Sequence, residues 1–453
     1  MTRDRTHPAG RLARPLLLTA VFMLPALVVR IGGLHPNPVL SLVLYGAAVV
    51  AASFVLAWAA EAAQVDVSGG LAIAALALIA VLPEYAVDLY YAYVAGHDPT
   101  YTAYAAANMT GSNRLLMGVG WPLVVLVAAA VATKTTGKPV RSLVLDAGNR
   151  VELGFLLIAG VLAFVMPATG EIHLVFGVIL LAWFGFYLFK LTRGEVEEPE
   201  LIGAAAALGA LPRRARRVTV LALFVVAAVV ILVCAEPFAN SLIDAGTQLG
   251  IDQFLLVQWL APLASEAPEF IIAILFAARG KGTLAIAALI SSKVNQWTLL
   301  VGSLPIAYMV GGGGPALPLD ARQVEEMLLT AAQTMMGVAL ILSLRFGRKA
   351  AWALLLLFAV QFPITSTEGR LFLTAVYGVI ALAALLVHRR EIPATLAAAF
   401  RSPTTAEAEP ASDPGEVLER GVGGTDSAHA VGTRAGRGGG RAQEQSRDTD
   451  PVR

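Results

Sequence analysis

Long apolar runs separated by short polar or basic connections divide the chain into twelve predicted helices. They fall at 15–33, 38–61, 70–96, 103–132, 150–168, 171–190, 218–237, 254–278, 283–309, 325–345, 349–364 and 371–388. Runs of this kind suit about 30 Å of hydrocarbon, so the pattern is that of an all-α polytopic membrane protein. The first run follows a basic stretch, as a signal peptide would. Val29-Arg30-Ile31-Gly32-Gly33 is a poor match to a small-x-small cleavage site, and the run is kept as a helix.

Two of these helices carry a Pro-Glu pair, and each is followed by a polar break in the next helix. The first set is Leu82-Pro83-Glu84 with Asn108-Met109-Thr110-Gly111-Ser112-Asn113; the second is Ala267-Pro268-Glu269 with Ser291-Ser292-Lys293-Val294-Asn295. Proline and carboxylate are both expensive at bilayer depth, so a duplicated helix holding both predicts paired, broken helices around a central ion site.

Charge in the connections sets an orientation. Arg3, Arg5, Arg11 and Arg14 precede the first helix. Basic clusters then recur at alternate loops (Lys134, Lys138, Arg141; Arg213, Arg214, Arg216, Arg217; Arg279, Lys281; Arg345, Arg348, Lys349), ending with Arg389 and Arg390. The remaining connections hold only Arg30, Arg322 and Arg370. By the positive-inside rule both termini are expected in the cytoplasm, in a cell membrane. The two Pro-Glu helices are the third and eighth, so they run in opposite directions and define two inverted five-helix repeats. The expected organisation is an N-terminal tail and extra helix (1–37), a first repeat (38–190), a cytoplasmic linker (191–217), a second repeat (218–364), an extra helix (365–390) and a disordered cytoplasmic tail (391–453).

Composition narrows the function classes. With 57% hydrophobic and 14% charged residues a soluble core is excluded, and a net charge of +1 names no nucleic-acid partner. Cys234 is the single cysteine, so no internal disulfide forms. No phosphate-binding glycine loop, His-x-x-x-His pair or Ser/His/Asp set is present, so no enzyme and no resident cofactor is expected. Any transport is driven by an ion gradient, and the partners are the lipid bilayer and small inorganic cations. Tyr85, Tyr90, Tyr91, Tyr93, Tyr101 and Tyr104 read as an outer interfacial belt, and His97-Asp98 as an ordinary outer turn.

The two motif pairs resemble the cation/calcium exchanger superfamily, whose repeats carry Gly-Thr-Ser-x-Pro-Glu followed by Gly-Asn-x-x-Gly-Ser-Asn. The likeness spans most of residues 38–364. It rests on Leu82-Pro83-Glu84, on Asn108 with Gly111-Ser112-Asn113, on Ser265-Glu266-Ala267-Pro268-Glu269 and, loosely, on Ser291-Ser292-Lys293. The resemblance implies alternating access and assigns Glu84, Glu269, Ser112 and Ser292 to the ion-binding centre, with Ser265, Glu266 and Gln296 beside them and Asn108, Asn113 and Asn295 as secondary candidates. Departures from the motif are Ala80, Val81 and Leu116, which lack side-chain oxygens, and Glu266 and Lys293, which add charge.

These residue types suit hard cations, which take oxygen ligands, and a proline that frees backbone carbonyls adds neutral oxygens. Asp88 lies one turn after Glu84, and Glu266 is likewise one turn from Glu269. Asp88, Arg114 and Lys293 are candidates for proton coupling or charge balance. Asp88 is alternatively a structural partner of Arg114, Lys293 a counter-charge for Glu266, and Ser112 and Ser292 close-packing residues. The expected function is a secondary antiporter exchanging sodium or calcium against protons or sodium. The alternative is a non-transporting sensor or structural subunit in which Arg114 and Lys293 lock the carboxylates.

Overall fold

The computed structural model describes residues 8–66, 81–193 and 201–401. Outside the described residues lie the first part of the third predicted helix with Ala80, the acidic positions Glu195, Glu197, Glu198 and Glu200, and the tail from 402. The first half of the chain contains α1 (Pro8–Ile31), α2 (Pro38–Ala63), α3 (Leu82–Ala95), α4 (Thr102–Leu115), α5 (Trp121–Thr136), β1 (Ser142–Val144), α6 (Arg150–Leu162), α7 (Val165–Thr169), β2 (Glu171–His173) and α8 (Leu174–Leu191). The second half contains α9 (Gly203–Gly209), α10 (Arg213–Leu249), α11 (Gln253–Ala278), α12 (Gly282–Asn295), α13 (Val301–Val310), β3 (Ala316–Pro318), α14 (Ala321–Ile341), β4 (Arg345–Gly347), α15 (Arg348–Val360), α16 (Thr367–Val387) and α17 (Ile392–Phe400). Among the described residues ten helical stretches are long and apolar enough to cross a membrane.

Local sequence starts these helices where side chains can satisfy the exposed amides. Asn37 accepts from the Leu40 amide at 2.9 Å ahead of Pro38. Asp252 caps α11 through the Phe254 amide at 2.9 Å, and Asp320 and Gln323 form a reciprocal capping box on α14. Alanine and valine on α2, among them Ala48, Ala52, Val55 and Ala59, are buried and let α2 pack along α10.

Two irregularities recur in matching places. A π-helical turn at Leu116–Gly120 joins α4 to α5, and another at Gln296–Leu300 joins α12 to α13. Such turns re-aim the side chains around them and concentrate at functional sites. The four short strands make two antiparallel ribbons, β1 with β4 and β2 with β3. Each ribbon therefore joins a connection from the first half of the chain to one from the second.

Several expectations change. α11 runs unbroken through Pro262 and Pro268, because flanking turns hold the helix across the missing amide bonds. α10 covers 37 residues, well past the predicted end at 237, with Pro237 inside it. The linker contains α9, whose Ala204, Ala205, Ala207 and Leu208 are buried. Residues 392–400, assigned to a disordered tail, form α17 against α6, where Gly154 admits the Thr395 carbonyl and Lys190 Nζ donates to the Phe400 and Arg401 carbonyls at 2.8 and 2.6 Å.

The tyrosine belt is also corrected. Tyr91 is fully buried and donates to the Ala239 carbonyl at 3.0 Å, while Tyr90 and Tyr101 both donate to Asn240 Oδ1 at 3.1 and 3.2 Å. Tyr85 points inward to Asn295, and Tyr93 remains exposed. The His97-Asp98 turn is as expected: Asp98 accepts from the Thr100 hydroxyl and amide, which holds its carboxyl below the usual range.

Candidate functional site

The two motif pairs meet in the interior through α3, α4, α11 and α12. Pro83 lies in the first turn of α3, where an absent amide donor costs nothing, and Glu84 follows it. On α11, Ser265, Glu266 and Glu269 lie on consecutive turns. α4 crosses α11 at Gly111, where a Cβ atom would sit 1.7 Å from the Gln258 carbonyl oxygen. Only glycine allows that approach, and it brings the neighbouring Ser112 up to the carboxylates.

Part of the centre is internally satisfied. Ser292 Oγ donates to Glu269 Oε2 at 3.0 Å, and Gln296 Nε2 to Glu266 Oε1 at 2.7 Å. Tyr85 OH donates to Asn295 Oδ1 at 2.9 Å across the two motif pairs. Lys293 Nζ donates to Asn113 Oδ1 at 2.8 Å and to the Asn113 carbonyl oxygen, and lies 5.6 Å from the Trp297 ring. Ser265 Oγ donates back to the Ala261 and Pro262 carbonyls at 3.2 and 3.3 Å, taking up acceptors that the two prolines leave free.

The rest of the centre is unpartnered. Glu84 Oε1, both Asp88 carboxylate oxygens, both polar atoms of the Asn108 side chain, Ser112 Oγ, Glu266 Oε2 and Gln296 Oε1 are buried without hydrogen-bond partners. Ser112 and Gln296 lie beside Glu84, and Asn108 beside Asp88, yet none meets hydrogen-bond geometry with those oxygens. Buried polar atoms are normally paired, so a concentration of orphans in one place marks a site for something not supplied by the chain. Glu84 is within electrostatic reach of Asp88 and Glu269, and Glu266 of Glu84, Glu269 and Lys293. Among the described residues no three acidic, His or Cys groups converge as a ready metal cage. A hard cation here would draw on two carboxylates at most, completed by the neutral oxygens of Ser112 and Gln296.

Arg114 belongs elsewhere. It bonds Glu326 on α14 and Gln361, and its guanidinium lies 5.0 Å from the Trp259 ring. Arg370 joins Glu326 at 2.5 Å, and Gln258 Nε2 donates to the same carboxylate at 3.0 Å. Asp88 is therefore not the partner of Arg114, and Lys293 is bonded to Asn113 while Gln296 holds Glu266. The lock in which Arg114 and Lys293 clamp the motif carboxylates does not form. Glu326, Gln258 and Gln361 escaped sequence reasoning, although Gln323, Glu326, Thr330, Gln333 and Thr334 recur at helical spacing along α14 and are all buried. That polar stripe within an apolar helix was the available signal.

The family described as sodium/calcium exchanger protein matches residues 37–193 and 219–366. Among solved structures, the crystal structure of an H+/Ca2+ exchanger, CAX, is 43% identical, covers 85% of this chain and 96% of its own, and superposes with a TM-score of 0.79. The native structure of YfkE is 16% identical, covers 82% of this chain and 99% of its own, and has a TM-score of 0.55, a likeness of fold. Among curated proteins none matches. With the family matched over both motif pairs and a relative this similar along most of its length, the chain belongs to the sodium/calcium exchanger family, within the cation/calcium exchanger superfamily.

Proposed function

We propose that this protein is a calcium/proton antiporter working by alternating access, with twelve membrane spans, two inverted five-helix repeats and both termini in the cytoplasm of a cell. The observation that carries the reading is the set of buried, unpartnered oxygens on Glu84, Ser112, Glu266 and Gln296. A calcium ion takes six to eight oxygen ligands, and carboxylates that release it can hold protons in its place. Similarity to a protein named as an H+/Ca2+ exchanger supports the choice of ions. The paired ribbons and matched π-helical turns support the inverted repeat. Exchanging the halves carries β1 with β4 onto β3 with β2, and the turn after Ser112 onto the turn after Ser292.

In this reading Glu84 and Glu269 carry the exchanged ions. Ser112, Ser292, Ser265, Gln296 and Glu266 shape the centre, and Asp88 with Asn108 extends it along α3 and α4. The test is reconstitution into proteoliposomes with a pH dye and a calcium dye. An imposed calcium gradient should drive opposite proton movement, and an imposed pH gradient should drive calcium uptake. Calcium movement without proton movement would overturn proton coupling, and no movement of either would overturn the transporter reading.

A further inference from the structure

Lys293 and Asn113 are 180 residues apart, the same spacing as Ser112 and Ser292, so they occupy equivalent positions in the two halves. They also touch. Lys293 Nζ reaches both oxygens that Asn113 presents inward, its side-chain Oδ1 at 2.8 Å and its main-chain carbonyl. Asn113 keeps Oδ1 aimed at Lys293 by donating its own amide to the Met109 carbonyl at 3.0 Å. Both residues are fully buried, and Glu266 and Glu84 act on the lysine electrostatically. The Trp297 ring at 5.6 Å lines the same position.

A carbonyl and an amide oxygen converging on one point, with two carboxylates near, is what a monovalent cation such as sodium uses inside a membrane protein. Here the point is filled by a nitrogen fixed to the chain. The diffusible cation is left with the unpartnered oxygens of Glu84, Ser112, Glu266 and Gln296, which the lysine does not touch.

We infer that Lys293 is a tethered occupant of a monovalent-cation subsite formed by Asn113, which excludes sodium from the exchange cycle and leaves one mobile cation site. This inference rests on the antiporter reading above and adds the ion selectivity of its centre. Asn113 is the residue that would hold sodium if the tether were removed, and Lys293 determines specificity through its position alone.

The test compares wild type with Lys293→Asn and Lys293→Ala, purified and shown to be monodisperse, in two assays. Binding of radiolabelled sodium to detergent-solubilised protein should be absent in wild type and saturable in both variants, and should be lost again in the double variant Lys293→Ala/Asn113→Leu. In proteoliposomes wild-type calcium uptake should be indifferent to a sodium gradient, whereas uptake by Lys293→Asn should change severalfold with sodium. Sodium-driven calcium uptake by wild type, or monodisperse variants that bind calcium but no sodium, would overturn the inference. Because sodium binding is read without transport, failure of the subsite is distinguishable from failure of calcium/proton exchange, which the wild-type proton flux reports. If Lys293→Asn does not yield folded protein, Lys293→Ala and the wild-type sodium gradient each still decide the matter.

Discussion

Arg370, in the first turn of α16, contacts the buried carboxylate of Glu326 on α14 at 2.5 Å, and Arg114 of α4 bonds the same group. One carboxylate thus ties the last long helix, which lies beyond the matched family segments, to the helix that carries Asn108, Ser112 and Asn113. Gln258 of α11 completes the junction. Four helices that must keep their relative register around the candidate centre share a single buried anion.

Removing that anion strands two guanidinium groups. Glu326→Ala should lower stability by about 3–5 kcal/mol, the usual result of breaking a buried ion pair from one side. Glu326→Gln, which keeps the hydrogen-bonding shape, should lose less. Thermal unfolding in detergent checks this, and an unchanged midpoint for Glu326→Ala would show that the junction carries no stability.

Glu84→Gln and Glu269→Gln should each reduce calcium-driven proton flux by at least about tenfold, since each removes an anionic ligand while retaining shape. Ser292→Ala should raise the calcium concentration needed for half-maximal flux with a smaller loss of maximal rate, because Ser292 contacts Glu269 at 3.0 Å and positions it. Wild-type flux in either Gln variant would place the centre elsewhere.

Gly111→Ala puts a methyl group 1.7 Å from the Gln258 carbonyl oxygen, a backbone atom that cannot swing aside. The helices must separate, with an expected loss of at least about 1–3 kcal/mol. Reduced calcium binding should accompany it, because Ser112 moves with α4. A variant with unaltered stability and binding would show that the close crossing of α4 and α11 is dispensable.

Asp66, just past the end of α2, is held below its ordinary value of 3.8, chiefly by hydrogen bonds from Arg216 at 2.7 and 2.9 Å. A depressed carboxyl contributes stability that is fully present above its unfolded pKa and disappears as pH falls through the folded value. Asp66→Asn should therefore lower the unfolding midpoint at neutral pH, and the gap to wild type should close below about pH 4. A gap independent of pH would assign the effect to packing rather than charge.

Orientation is checked by cysteine labelling. With the buried Cys234 replaced, His97→Cys and Arg279→Cys sit at exposed loop positions expected on opposite faces. An impermeant thiol reagent should modify the first from outside and the second only from the cytoplasmic side. Modification of both from one side would contradict the inverted arrangement.

The sequence by itself determined what depends on local or summed properties. Apolar run lengths marked most helices, because hydrocarbon thickness sets the length of a spanning helix, and Asn37-Pro38 and Asp320 with Gln323 marked helix starts through capping chemistry. The duplicated Pro-Glu and Ser/Asn motifs picked out four segments whose polar side chains do meet in the interior. What remained hidden were partnerships between distant residues. Charge and spacing alone allowed Asp88 to pair with Arg114 and Lys293 with Glu266, both at helical distances that seemed suitable. The close crossing at Gly111 and the turn of α14 present Glu326 to Arg114 and Asn113 to Lys293 instead. A buried charge takes whichever partner the packing of helices brings within about 3 Å, and no local pattern encodes which face of a helix ten turns away will arrive there.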